Sequence, residues 1–256
     1  RVGNDAFGRM LLDLWRQEQV DTRGVAVDPD APTGVYFVTH GPQGHEFSYL
    51  RAGSAASRLR PDTLPLDLLR GARILHVSGI SQAISASACD AVFAAVDAVG
   101  AAGGAVSYDP NLRPKLWPLP RARAIVVATM ALCDWFLPGL DEGRLLSGLA
   151  DADAVVDWCH ERGAPVVVVK HGAEGVIVSD GRRRERVAGK VVKSVDATGA
   201  GDCFDGAFAA RVLAGDDPFA AARYANAAAA LATTGYGAVA PLPRDADVRG
   251  LLGSVG

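Results

Sequence analysis

The chain has 256 residues, a formal net charge of -3, 49% hydrophobic and 21% charged residues. This mixture excludes disordered, collagen-like and coiled-coil classes, and it provides no basic field for nucleic acid or an acidic membrane. The longest apolar runs, such as residues 124–133 and 164–169, fall well short of the roughly 18 residues of a membrane span. The four cysteines Cys89, Cys133, Cys159 and Cys203 form no C-x-x-C pair and no zinc spacing, so they read as free thiols of a cytoplasmic protein.

In chain order, residues 33–39 and 46–50 alternate apolar and polar around Gly41-Pro42-Gln43-Gly44, the pattern of a β hairpin. From residue 74 the rhythm changes to short strands alternating with helices. Residues 74–79, 105–108, 135–137 and 165–170 read as strands, and 85–99, 121–132 and 153–162 as helices. Such βαβ spacing predicts an α/β fold with a mainly parallel sheet covered by helices on both faces. Residues 175–179 and 182–188 flank Asp180-Gly181, which predicts a tight type I′ hairpin closing the sheet in antiparallel fashion. Residues 190–195 read as a further strand, 201–213 as a helix, and Asp217-Pro218 as the N-cap and first residue of another. The hairpin of residues 20–53 stands outside this rhythm and could act as a lid over a ligand at the carboxyl ends of the parallel strands.

The chemistry concentrates in Asp196-Ala197-Thr198-Gly199-Ala200-Gly201-Asp202, at the start of a helix. Glycines let the N–H groups of Gly199, Ala200 and Gly201 converge on the oxygens of a phosphoryl group. Asp202, directly after this turn, is placed to take a proton from an attacking hydroxyl. The chain has no G-x-x-x-x-G-K-[ST], H-R-D or D-F-G segment, so the common nucleotide-phosphate motifs are absent.

The run from Asp196 to Gly206 resembles the C-terminal signature of the PfkB, or ribokinase-like, carbohydrate kinases, D-[ST]-x-G-A-G-D-x-F-x-[GA], with Ala197 at a tolerant position. Further matches lie in Val2 to Gly8, Leu137-Pro138, Lys170 to Gly175 and Gly237 to Pro241. The resemblance implies one ribokinase-like kinase domain over residues 1–256, with 20–53 forming the lid. It also implies ATP and Mg²⁺ as cofactors, with K⁺ as a further candidate. The exposed edges of the lid hairpin predict a homo-oligomer formed through the lid.

Within the family the resemblance is greatest to kinases of 2-keto-3-deoxygluconate, through Pro32 to Phe37, Tyr49 to Ala56 and Asp109 to Trp117. It implies phosphorylation of that sugar acid at O6. The carboxylate of such a substrate calls for guanidinium groups, with Arg51 and Arg113 as the candidates. The resemblance also sets Tyr36 and Tyr49 against the sugar and Asn111 near the phosphates. Lys170, Gly172, Gly175 and Asn226 fall in the ATP site, and Asp196 and Thr198 in the loop that binds a monovalent cation. Fructokinase, ribokinase and 5-keto-2-deoxygluconate kinase activities stay open, as does a non-catalytic sugar- or nucleotide-binding relative.

Two departures stand out. Where many members carry N-x-x-E, this chain has Gly139-Leu140-Asp141-Glu142, so that Glu142 would act on Mg²⁺ through water. The family's N-terminal strand and its G-G-x-x-x-N-x-A segment are not in this chain.

Overall fold

A computed structural model of the chain describes residues 1–41 and 44–253. Pro42 and Gln43 of the expected lid turn lie outside the described residues. The chain divides into two compact units, one of residues 1–72, 79–104 and 113–118, the other of 73–78, 105–112 and 119–256. No helix among the described residues is long and apolar enough to cross a membrane.

In the first unit, β1 (Val2–Gly3) pairs in parallel with β2 (Val27–Asp28), and β3 (Val35–Gly41) pairs antiparallel with β4 (Gly44–Leu50). The hairpin expected from its alternation is therefore present. Its helices are α1 (Ala6–Gln17), α2 (Leu66–Arg70), α3 (Gly79–Ala83) and α4 (Ala86–Ala101). Asp5 caps α1 by accepting from the Gly8 nitrogen at 2.8 Å, and its second oxygen accepts from the Thr33 nitrogen at 2.7 Å. One carboxylate thus fixes both the helix start and the entry into β3, a double role that leaves two backbone donors satisfied.

The second unit carries a six-stranded sheet in the order β10-β9-β8-β7-β6-β5. These strands are β5 (Ile74–Ser78), β6 (Ala105–Asp109), β7 (Trp135–Phe136), β8 (Val166–Lys170), β9 (Gly175–Ser179) and β10 (Arg184–Ala188). Strands β5 to β8 are parallel and β9 and β10 antiparallel, as the pattern predicts. The remaining helices are α5 (Leu119–Met130), α6 (Leu140–Ser147), α7 (Ala152–Glu161), α8 (Ala200–Leu213), α9 (Pro218–Ala232) and α10 (Asp245–Gly253).

The valine run of β8 has both faces covered. Val168 packs with Val176, Val178, Phe204, Phe208 and the alanines of α9. Its neighbours Val167 and Val169, which alternate to the other face, are equally buried. Phe204 and Phe208 stack with centroids 6.3 Å apart, which seats α8 on the sheet and thereby fixes the direction of its first turn.

Two expectations are corrected. Ser179 pairs with Arg184, so the loop holds the four residues 180–183 instead of a two-residue turn. Asp180 stabilises it by accepting from the Arg182 and Arg183 nitrogens at 2.9 and 2.7 Å, an Asx arrangement that competes successfully with the shorter turn. Residues 190–195 form no strand. The Val195 and Asp196 nitrogens both donate to the Thr233 carbonyl, at 2.7 and 3.1 Å, which ties the end of this segment to the C-terminus of α9 instead of to a sheet edge.

The four cysteines are free thiols, three of them buried. Burial pushes the Cys133 and Cys159 thiols up to about 12, which makes them inert.

Candidate active site

The signature residues make the entry to α8. Asp196 is buried, and one of its oxygens accepts from the Thr198 nitrogen and hydroxyl at 2.9 and 2.7 Å while the other accepts from the Gly237 nitrogen at 2.9 Å. This carboxylate shapes the loop. Gly199 then takes φ 77°, and a Cβ built there would stand 2.7 Å from the Ala238 Cβ. Only glycine meets both demands. The Ala200 N–H is drawn back onto the Ala197 carbonyl at 3.2 Å, so this one of the three expected donors is already engaged by the turn. Asp202 lies exposed in the first turn of the helix.

Below that turn sits a group of buried charges at the carboxyl ends of β6 and β8. The Lys170 ammonium donates to Asp205 Oδ1 and Oδ2 at 3.0 and 3.2 Å and lies 3.3 Å from Asp109 Oδ2. One oxygen each of Asp109, Asp202 and Asp205 lies within 4.8 Å of the others, a grouping that offers oxygen ligands to a hard cation. The ammonium already stands against two of the three. Burial disfavours the Lys170 charge, but Asp109, Asp205 and Glu142 outweigh it and raise its pKa above the ordinary lysine value. Burial raises the Asp205 pKa well above the usual carboxylate range, against the pull of Lys170. His76, with Nδ1 3.0 Å from the Ser107 hydroxyl, has its pKa lowered by burial and stands 3.9 Å from Asp205.

A cavity of about 530 Å³ opens beside this turn, lined by Lys170, Gly172, Gly175, Ala200, Gly201 and Asn226 among others. All four residues assigned to the nucleotide on β8, the loop after it and α9 therefore border one space. Gly175 has φ 104°, and a Cβ there would meet the Val187 carbonyl at 2.0 Å, so glycine is obligatory for the loop to close against β10. Asn226 is buried, and its Nδ2 donates to the Ala188 carbonyl at 2.8 Å. Its amide is thus held in a fixed orientation.

Asn111 follows β6 with φ 36°, its nitrogen donating to Asp109 Oδ1 at 3.0 Å. Asparagine tolerates this left-handed backbone better than most residues. Glu142 is not among the cavity residues. Its two oxygens accept from the Leu112 and Gly139 nitrogens at 2.7 and 2.8 Å, and burial, with Asp109 adding to it, raises its pKa. Its first task is to tie α6 to the loop after β6, and an inward approach of water is what a role on Mg²⁺ would add.

The expected sugar-binding residues belong to the first unit. The Tyr36 and Tyr49 rings lie 6.2 Å apart on paired strands, and the Arg51 guanidinium stands 5.7 Å from the Tyr49 centroid. Arg51 Nη1 is buried and has no hydrogen-bond partner among the described residues. Arg113 opens the turn closed by the Leu116 nitrogen on its carbonyl at 2.9 Å.

Sequence reasoning passed over Asp109, Asp205 and His76 as site residues. A signal for Asp205 existed, since an aspartate between Phe204 and Phe208 interrupts the apolar face of α8.

The sequence profile of the pfkB family of carbohydrate kinases matches residues 1–245. The 2-dehydro-3-deoxygluconokinase of Bacillus subtilis (strain 168) is 34% identical over 247 residues, covering 95% of this chain and 76% of that protein. The enzyme of the same name from Thermoproteus tenax is 38% identical over 255 residues, 96% of this chain and 77% of its own. Among solved structures, fructokinase from Vibrio cholerae O395 with fructose, ADP and calcium bound superposes with a TM-score of 0.89 at 32% identity, covering 98% of this chain and 83% of that one.

Proposed function

The chain belongs to the pfkB family of carbohydrate kinases, with the family's ribokinase-like fold, and we propose that it phosphorylates 2-keto-3-deoxygluconate at O6 with ATP. The observation that carries the choice of an acid sugar is Arg51. A buried guanidinium N–H without a partner costs free energy unless a ligand supplies the acceptor. A carboxylate does so with a charge-assisted bond, whereas a neutral ketose lacks that charge. The names of the two relatives at 34% and 38% identity support the same substrate.

In this reading Asp202 accepts the proton of the attacking hydroxyl as its oxygen bonds to the γ-phosphorus. The bond from that phosphorus to the bridging oxygen breaks, and ADP leaves with the electron pair. The first turn of α8, Gly199 to Gly201, takes the charge of the transferred group. The nucleotide occupies the cavity lined by Lys170, Gly172, Gly175 and Asn226, with Asn111 beside the phosphates. Mg²⁺, held by the phosphates and through water by Glu142, would neutralise charge on the oxygens in transfer. Asp196 and Thr198 mark the loop where K⁺ would bind. Arg51, Arg113, Tyr36 and Tyr49 recognise the sugar acid. The free thiols fit a cytoplasmic enzyme.

The structural likeness to a fructose-bound fructokinase supports a second reading, fructose as substrate. A coupled ADP-release assay over a panel of sugar acids and neutral sugars separates the two. The highest kcat/KM on 2-keto-3-deoxygluconate is the expected result, and the highest on fructose would replace the first reading by the second.

A further inference from the structure

Lys170 ends β8, and three facts set its ammonium apart from an ordinary buried ion pair. It is held at 3.0 and 3.2 Å by the two oxygens of Asp205, with Asp109 at 3.3 Å. A Cβ built on Gly201 would stand 3.7 Å from Nζ, so the charge lies directly against the first turn of α8. The side chain is not sealed, since it keeps 15% of its exposure and borders the cavity together with Ala200 and Gly201. An ion pair that served packing alone could be exchanged for apolar side chains with little loss of stability, or none. Here the partner carboxylate is almost wholly buried, while the lysine side chain borders a ligand space.

We infer that Asp205 is a positioning residue that acts through Lys170, holding its ammonium at the first turn of α8 where the phosphate chain of the nucleotide arrives. Asp205 lies three residues after Asp202 on the same helix, about one turn further along. The base and the anchor of the ammonium are therefore carried by one rigid element, and Asp109 supplies the second hold from β6. The inference rests on the kinase reading and adds a residue that does not itself border the cavity.

The test compares ADP with adenosine, which share the base and ribose but differ in phosphate charge. Affinities of both are measured by calorimetry for wild type, Lys170→Met, Asp205→Asn and the double variant. Lys170→Met is expected to reduce the preference for ADP over adenosine by about tenfold or more, the size of one charge-assisted hydrogen bond. Asp205→Asn is expected to reduce it several-fold when Lys170 is present and not at all in the Lys170→Met background. An unchanged preference in Lys170→Met, or an equal effect of Asp205→Asn in both backgrounds, overturns the inference. Where a single variant does not fold, the double variant, which removes the Lys170 and Asp205 charges together, decides. A wild-type preference in it overturns the inference, and a loss of about tenfold upholds it. A wild type that binds ADP no better than adenosine would overturn the kinase reading itself, so the two failures are distinct.

Discussion

Glu142 holds Leu112 across 30 residues of sequence, accepting from its backbone nitrogen at 2.7 Å. The second oxygen accepts from Gly139 at 2.8 Å, so one buried side chain closes two loops at the edge of the candidate site. Glu142→Gln keeps the shape but offers one acceptor oxygen where two are used. Leaving a buried N–H unpaired costs about 1–3 kcal/mol. Denaturant unfolding should show that loss, and a midpoint unchanged from wild type would mean that the two backbone bonds contribute nothing.

Asp202→Asn removes the proton acceptor while keeping volume in the exposed first turn of α8. Turnover is expected to fall by ~10²- to 10⁴-fold, the usual cost of losing a general base. Calorimetry should find ATP bound as in wild type. Near wild-type turnover would take Asp202 out of the mechanism.

The glycines of the signature separate into two kinds. Gly199 combines φ 77° with a 2.7 Å approach of Ala238, whereas Gly201 has negative φ and only Lys170 Nζ, at 3.7 Å, near its absent Cβ. Gly199→Ala should therefore lower the melting temperature and abolish turnover. Gly201→Ala should fold with a melting temperature close to wild type and lose turnover alone, because its methyl group occupies the space where phosphate and ammonium would meet. Circular dichroism melts alongside the kinase assay check both outcomes. Equal melting temperatures for the two variants would contradict the distinction.

The alternation of strands and helices from residue 74 and the site segment on α8 were legible because hydrophobic period and glycine placement are local properties. β8 and its valines, the N-cap at Asp217 and the start of α8 within one residue all follow from neighbours in sequence. What the sequence left hidden depends on distant partners. The Asp205 to Lys170 contact spans 35 residues and the Glu142 to Leu112 contact 30, and no periodicity records either. Residues 190–195 misled for the same reason. Their apolar content suits a strand, yet the Thr233 carbonyl claims the Val195 nitrogen at their end.

A pH dependence follows from Asp205. Burial raises its pKa well above the ordinary 3.8, Lys170 opposing and Asp109 adding to the shift. Between 3.8 and that raised value the folded state holds a proton that the unfolded chain releases, so stability declines as pH rises through this window, above which Asp205 is the carboxylate that pairs with Lys170. Asp205→Asn lacks this group. The melting temperature of wild type should fall relative to Asp205→Asn as pH increases across that window. A wild type that gains on the variant over the same range would show that the pull of Lys170 outweighs burial.

Arg51 gives the sharpest test of substrate class. Its Nη1 is buried without an acceptor among the described residues, and its guanidinium sits 5.7 Å from the Tyr49 ring, which restricts how far it can turn away. A carboxylate arriving there completes a desolvated charge pair, and truncating one partner of such a pair costs ~2 to 5 kcal/mol. Arg51→Ala should thus lower kcat/KM for 2-keto-3-deoxygluconate by about tenfold or more. Fructose has no carboxylate to lose, so its kcat/KM should change little. Both substrates are measured on wild type and variant under the same conditions. A parallel fall for both would mean that Arg51 shapes the hairpin instead of reading charge, and the acid-sugar assignment would lose the observation that carries it.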